Sequence, residues 1–376
     1  MVTTVKIFSV FSLAIFTTMA CKQTYAPPAV AHPPNYLVIE GFIENNGTDS
    51  TFFHLSRTIK ADTNGYVPEL GAVCTIDGSD NTSRPLGEIG NGAYAAKLTG
   101  LDPDATYRLR ISTSNGKQYV SDNVPLVKNP PIDSINWKRL DNDVYQGIQI
   151  YANTHDPQNN THYYRWEYEE TWEFHSTFFA AVKYDPATGI ISPYFPNTIN
   201  TCWKDVLSSR ILLGTSAQLA QDLIYEAPLV LVPLNSQQIN WRYSLLVKQY
   251  ALTKDAFNWW QILSKNTEQI GSIFGVLPAA NPGNIHCLSD PAEMVLGYVS
   301  GGNTRSQRIF ITIDQVQPWF YDPDCPDIKP DPSHSLQSLL GAGFVPWRAD
   351  QTGVFLSYPR CIDCTLSGTN IRPSFW

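Results

Sequence analysis

Charge is scarce in this chain. Of its 376 residues, 16% are Asp, Glu, Lys or Arg, against about 25% in an average soluble protein. The 26 basic side chains are outnumbered by 34 acidic ones and form no basic stripe, so the electrostatic footprint of a nucleic-acid binder is missing. No G-x-S-x-G, P-loop or G-x-G-x-x-G occurs, which leaves serine-hydrolase and nucleotide-binding chemistry without a motif. The seven histidines (His32, His54, His155, His162, His175, His286 and His334) are scattered, with no H-E-x-x-H and no helix-spaced pair. Neither a metal nor a cofactor is therefore expected. His286 beside Cys287 reads as a structural contact. No apolar run reaches the roughly 20 residues of a spanning helix, and no fixed-period repeat is present.

What is abundant is apolar and aromatic. Hydrophobic residues make up 43% and aromatics 12%, with 10 Trp and 19 Tyr, a composition that suits β-sheets and binding surfaces alike. The first twenty residues have the layout of an export signal: Lys6, an apolar stretch Ile7–Phe16, then Thr17-Thr18-Met19-Ala20 before Cys21. With cysteine directly after Ala20, the segment resembles a bacterial lipoprotein signal in which Cys21 is lipidated. The alternative is an ordinary signal peptide with a chance cysteine. Lipoboxes usually carry Leu, Ile or Val where this chain has Thr18. Residues 21–34 are proline-rich and read as a semi-rigid tether. Membrane attachment would then come from the lipid, because no polybasic patch supplies it.

Export sets the reading of the seven cysteines. With Cys21 lipidated, six remain in an oxidising compartment, and pairing is open among fifteen connectivities. Cys74, in the alternating run Ala72–Ile76, reads as a buried free thiol; Cys202, Cys287, Cys325, Cys361 and Cys364 are the disulfide candidates. Cys361-Ile362-Asp363-Cys364 lacks both a thioredoxin-like setting and a second zinc-ligand pair. The acid-rich Asp322-Pro323-Asp324-Cys325-Pro326-Asp327 lacks the glycine and closing glutamate of a calcium loop.

Short alternating runs separated by turn residues recur over 35–125, including an Asn91-Gly92 hairpin and a Ser114-Asn115-Gly116 turn. They predict a mainly β fold that opens with an immunoglobulin-like β-sandwich. Pro125 to Pro131 marks a boundary. Residues 126–376 predict a larger β-rich, sandwich-like domain, with an irregular insertion at about 176–238. One main helix is expected at about 254–270, with Thr253 as its N-cap. The longest alternation puts Tyr164, Trp166, Tyr168, Trp172 and Phe174 on one strand face with Glu170; Arg165, Glu167, Glu169, Thr171 and Glu173 take the other. The aromatic stripe is either sandwich core or a stacking platform, so Trp166, Tyr168 and Trp172 are candidate binding residues. Trp259 and Trp260 join them, since two consecutive tryptophans on a helix cannot both face one core. The glutamates do not make a facing acid pair: carboxylates two apart on a strand sit side by side, about 7 Å from each other, and a solvated face is the plain reading.

Five stretches carry a family likeness. They are Leu37–Ile43, Tyr243–Leu252, Lys265–Phe274, Pro282–Cys287 with Gly297–Val299, and a tail from Cys361 to Asn370 ending Pro373-Ser374-Phe375-Trp376. Together they resemble a family of Bacteroidetes exported lipoproteins of unknown function, whose genes commonly neighbour TonB-dependent outer-membrane receptors. The order of short motifs in 92–119 (Gly-x-Tyr, Leu-x-x-Leu, Tyr-x-Leu-x-Ile, Gly-Lys-x-Tyr) is also similar to carboxypeptidase-regulatory-like and fibronectin-type modules. The family resemblance implies a non-catalytic, lipid-anchored outer-membrane protein that assists a TonB-dependent receptor in nutrient uptake, and it supplies no catalytic residues. A free-standing glycan- or protein-binding adhesin is the alternative, and a glycoside hydrolase the weakest reading.

Overall fold

Alternation decides the first strands. In β1 (Leu37–Glu44), Leu37, Ile39 and Ile43 are buried, while Val38, Glu40 and Phe42 point the other way. The computed structural model describes residues 35–59, 65–142, 144–196, 198–268 and 283–376; the signal, Cys21, the tether and residues 269–270 of the expected helix lie outside these. After β1 come β2 (Thr51–Arg57), β3 (Val67–Pro68), β4 (Val73–Gly78), β5 (Ser83–Gly90), β6 (Ala93–Ala96), β7 (Thr106–Ser112), β8 (Gln118–Ser121) and β9 (Val124–Val127). Asn91 and Gly92 join β5 to β6 with φ of 56° and 75°, the left-handed pair a tight hairpin requires.

These strands do not form the two-sheet sandwich expected over 35–125. The order β7-β4-β5-β6-β2-β1 continues into β21 (Ser300–Gly302) and β9, and β9 pairs back to β7, so eight strands close a barrel-like ring. The closing strand comes from far downstream and runs parallel to both neighbours, β1 and β9. Closure removes the two edges that the local strands leave open. β19 (Ile285–Cys287) adds to β8, and β20 (Leu296–Gly297) runs beside β1. Glycine permits this close crossing: a Cβ on Gly297 (φ 133°) would meet the Ile39 carbonyl oxygen at 2.0 Å, and one on Gly283 would meet the Gly297 carbonyl oxygen at 1.4 Å.

The second unit is a sandwich. One sheet has the order β10 (Ile132–Asp141), β11 (Gln146–Thr154), β17 (Ile224–Pro233). The other has β15 (Thr201–Leu207) and β16 (Leu212–Thr215) side by side against β12 (Tyr163–His175), then β18 (Arg242–Ala251) and β22 (Arg305–Thr312). Both sheets contribute to one core, in which Ile148, Ile150, Leu229 and Val232 meet Trp166, Tyr243, Leu245 and Ile311. The irregular 176–238 region thus holds the hairpin of β13 (Val182–Asp185) and β14 (Ile190–Pro193) together with full sheet strands. In β17 the register slips at Leu229, next to Pro228, which has no N–H to give to the ladder. Helix α1 (Lys254–Glu268) follows β18, and the Thr253 hydroxyl accepts the Ala256 N–H at 3.2 Å as its N-cap.

The C-terminal segment contains α2 (Leu336–Gly341) and the hairpin of β23 (Val345–Asp350) and β24 (Gly353–Ser357). Disulfides Cys202–Cys364 and Cys325–Cys361 staple it, so the two cysteines of the C-x-x-C pair outward to different partners. Cys287 does not join them. It is a buried free thiol in the first unit's core, as is Cys74, away from the paired cysteines of the sandwich and tail. Burial pushes the Cys74 thiol up to about 12, which keeps it protonated and inert. At the chain end, the Arg242 guanidinium lies 4.3 Å from the Phe310 ring centroid and 5.2 Å from that of Trp376, and Trp376 Nε1 donates to Glu173 Oε2 at 2.9 Å.

Candidate functional site: a cleft between the two β units

Because β-strand side chains alternate, each unit keeps a second face after its core is filled. The outward face of β1 and β2 presents Glu40, Phe42, Phe52 and His54; that of β12 and β18 presents Arg165, Glu167, Glu169, Lys248 and Tyr250. The two faces look at each other across a cleft of about 1070 Å³. Helix α1 lines it with Trp259, Trp260 and Leu263, and the glycine-permitted crossing lines it with Met294, Leu296 and Tyr298. Where the units touch, a small separate core forms from Tyr250, Leu252, Ala256 and Phe257, with Phe42 edge-on to Tyr250 at 5.2 Å. The rim stays open: Phe52 is 41% exposed, Tyr66 48% and Met294 42%.

The charged groups on the sandwich wall are held in place. The Arg165 guanidinium lies 4.4 Å from the Tyr250 ring centroid and 4.2 Å from that of Trp260. Its Nη1 donates to Glu167 Oε1 at 2.5 Å, and the Tyr250 hydroxyl donates to Glu167 Oε2 at 2.7 Å. Burial pushes the Glu167 carboxyl up, but the Arg165 charge and the Tyr250 hydroxyl outweigh it and hold the group below the usual carboxylate range. Burial, with the Glu167 charge added, pushes the Tyr250 hydroxyl up. Opposite, Glu44 is buried and accepts from the Thr304 hydroxyl at 2.7 Å and the Asn46 N–H at 2.9 Å, tying β1 to the link that leads from β21 into the sandwich strand β22. The Tyr66 hydroxyl is hydrogen-bonded to His54 Nδ1.

The candidate residues separate cleanly. Trp166 (1% exposed) and Trp172 (5%) are core, filling the sandwich rather than forming a platform. Tyr168 is core as well and only touches the cleft. Trp259 and Trp260 do line it, ring to ring at 5.0 Å. Glu173 is instead bound to His175 and Trp376, away from the cleft. Sequence reasoning missed Phe42, Phe52, Tyr66, Tyr250 and Tyr298. The signal for Phe42 and Tyr250 was available, because both stand on strand faces opposite the obvious core positions. Among the described residues, no group of three or more His, Cys, Asp and Glu could hold a metal, and no helix is long and apolar enough to cross a membrane.

A family model described as "Domain of unknown function (DUF4249)" matches residues 22–308. That span is well over half of the chain and contains every strand of the ring, all of the cleft and the sandwich up to the first half of β22. The chain belongs to this family. No match is found among curated proteins.

Proposed function

We propose that this family member is a non-catalytic cell-envelope protein that captures a ligand in the cleft between its β units. It is anchored in the outer membrane through lipid on Cys21 and acts beside a TonB-dependent receptor. The observation that carries the binding reading is the cleft itself: a large, open, aromatic-lined space whose charged wall is fixed before any ligand arrives. Preorganisation of this kind lowers the ordering cost of binding. The anchor and the receptor rest on the signal-like N-terminus and the family resemblance. We also assign the second unit to the immunoglobulin type. Its strands lie in the order first-second-fifth in one sheet and fourth-third-sixth-seventh in the other, with β15 and β16 counted together.

Glycosidase chemistry finds less support. A general acid needs a raised pKa, and the best-placed cleft carboxyl, Glu167, is shifted the other way and already spent on Arg165 and Tyr250. The adhesin reading draws on the exposed Phe179, Phe195, Leu366 and Ile371 of the sandwich and tail. The deciding experiment is a pull-down of the tagged protein from detergent-solubilised outer membranes, with partners identified by mass spectrometry. A TonB-dependent receptor in near-equal amount is expected. Recovery of the protein alone would remove the receptor from the proposal and favour the adhesin.

A further inference from the structure

The protein already holds one organic cation inside the cleft. The Arg165 guanidinium lies between two aromatic rings with the Glu167 carboxylate bound to it. Ring faces are negative, so two rings and a carboxylate form a box that suits a guanidinium or ammonium group. Arg165 and Glu167 cancel, and the charges left facing the open space are mostly acidic. Glu40 and Asp49 are exposed on the first unit and Glu169 is half-buried on the second, with Lys248 against them. The exposed rings of Phe52 and Tyr66 flank His54 on the Glu40 side, and His54 is the direct strand partner of Glu40. The volume of about 1070 Å³ lies at the top of the roughly 300–1,000 Å³ range of small-molecule pockets, and the open rim leaves room for an extended occupant. Polyanions are disfavoured by the same carboxylates and by the acidic balance of the chain.

We infer that the cleft binds an extended oligopeptide carrying arginine or lysine side chains. The cations pack on the open aromatic faces of the ring wall, with Glu40 and Glu169 as counter-charges. This inference rests on the capture reading above and gives it a ligand class.

The test passes a random hexapeptide mixture over the purified, immobilised full-length protein and identifies the retained peptides by mass spectrometry. Retained peptides enriched in Arg and Lys are expected, eluting as salt is raised. The best of them should bind about tenfold more weakly to Phe52→Ala, which removes an exposed ring of that wall. It should also weaken on the Glu40→Gln/Glu169→Gln double variant, whose exposed and half-exposed sites leave the fold intact by circular dichroism. Three results would overturn the inference: no retained peptide, a retained pool without basic enrichment, or a neutral hexasaccharide that binds the cleft while the peptides do not. If a receptor is still captured from membranes in those cases, only the ligand class falls. If the cleft retains neither peptide nor saccharide and no receptor is captured, the capture reading falls with it.

Discussion

Gln249 offers the sharpest test of how the two units are joined. Its side chain is fully buried in β18. The Nε2 group donates to Asn129 Oδ1 at 3.0 Å, to the Pro130 carbonyl at 3.1 Å and to the Thr154 hydroxyl at 3.2 Å. Its Oε1 accepts from Trp166 Nε1 at 2.9 Å, and its own carbonyl accepts from Asn129 Nδ2 at 2.6 Å. One amide thus connects the segment leaving the ring to both sheets of the sandwich. Gln249→Leu nearly preserves volume, so the loss is polar. It orphans the Trp166 N–H, the Asn129 Oδ1 and the Pro130 carbonyl in a dry site, at about 1–3 kcal/mol each, for a total of at least about 3 kcal/mol. Urea unfolding with the disulfides intact should show a lower midpoint at unchanged m-value. Ser306→Ala, exposed on the partner strand, should stay within about 0.5 kcal/mol of the parent. In a double-mutant cycle, adding Trp166→Phe to Gln249→Leu should cost less than Trp166→Phe alone, because the orphaned donor is gone. A Gln249→Leu penalty below about 1 kcal/mol would refute the argument that this amide network holds the junction.

Three further perturbations follow from the same geometry. Burial pushes the Glu170 carboxyl up, only partly opposed by the hydrogen bond from the Tyr243 hydroxyl at 2.9 Å. Its folded pKa lies above the unfolded one, so stability is lost as pH rises through the folded value. Glu170→Gln keeps an acceptor for Tyr243 and cannot ionise; it should melt higher than the parent at pH 7 and no higher below about pH 4. The Cys202–Cys364 bridge spans 162 residues and Cys325–Cys361 spans 36. Chain-entropy bookkeeping gives about 5 and about 4 kcal/mol for them, so Cys364→Ser should lower the urea midpoint more than Cys325→Ser; the reverse order would point to strain or residual structure instead. Gly297→Ala forces a Cβ onto the Ile39 carbonyl in a left-handed conformation, and thermal melts should show a loss of at least about 2 kcal/mol.

How much of this was legible in the sequence follows from range. Strands made by local alternation could be read: short strands do recur over 35–125, β12 falls where the alternating aromatics place it, and Thr253 caps α1. The hairpin turn at Asn91-Gly92 was likewise a local signal. The closed ring was not legible, because Ser300–Gly302 is three residues long, two of them glycine, and no propensity marks it as a strand. Its role exists only once β1 and β9 are in place to receive it. The same holds for β17, where Pro228 reads as a breaker until the register slip beside it is known. Pairing of cysteines was open for the same reason: distance in the chain says nothing of which thiols meet.

The cleft shows why the candidate residues divided as they did. The aromatic stripe of β12 attracted attention for its density, yet dense alternating aromatics on a central strand are what a sandwich core needs, and Trp166 and Trp172 went there. The binding-competent aromatics are sparse in sequence: Phe42 and Phe52 from one unit, Tyr250 and Trp260 from the other, Tyr298 from the crossing. Each is ordinary alone, since an isolated aromatic on the polar face of a strand needs no special explanation. They become a site only because the parallel insertion of β20 and β21 beside β1 fixes the ring against the sandwich and turns two leftover faces toward each other. The glycines at 283 and 297 therefore act on the cleft without offering it a side chain. Loosening their crossing should widen the gap between Phe42 and Tyr250 before it disturbs either core.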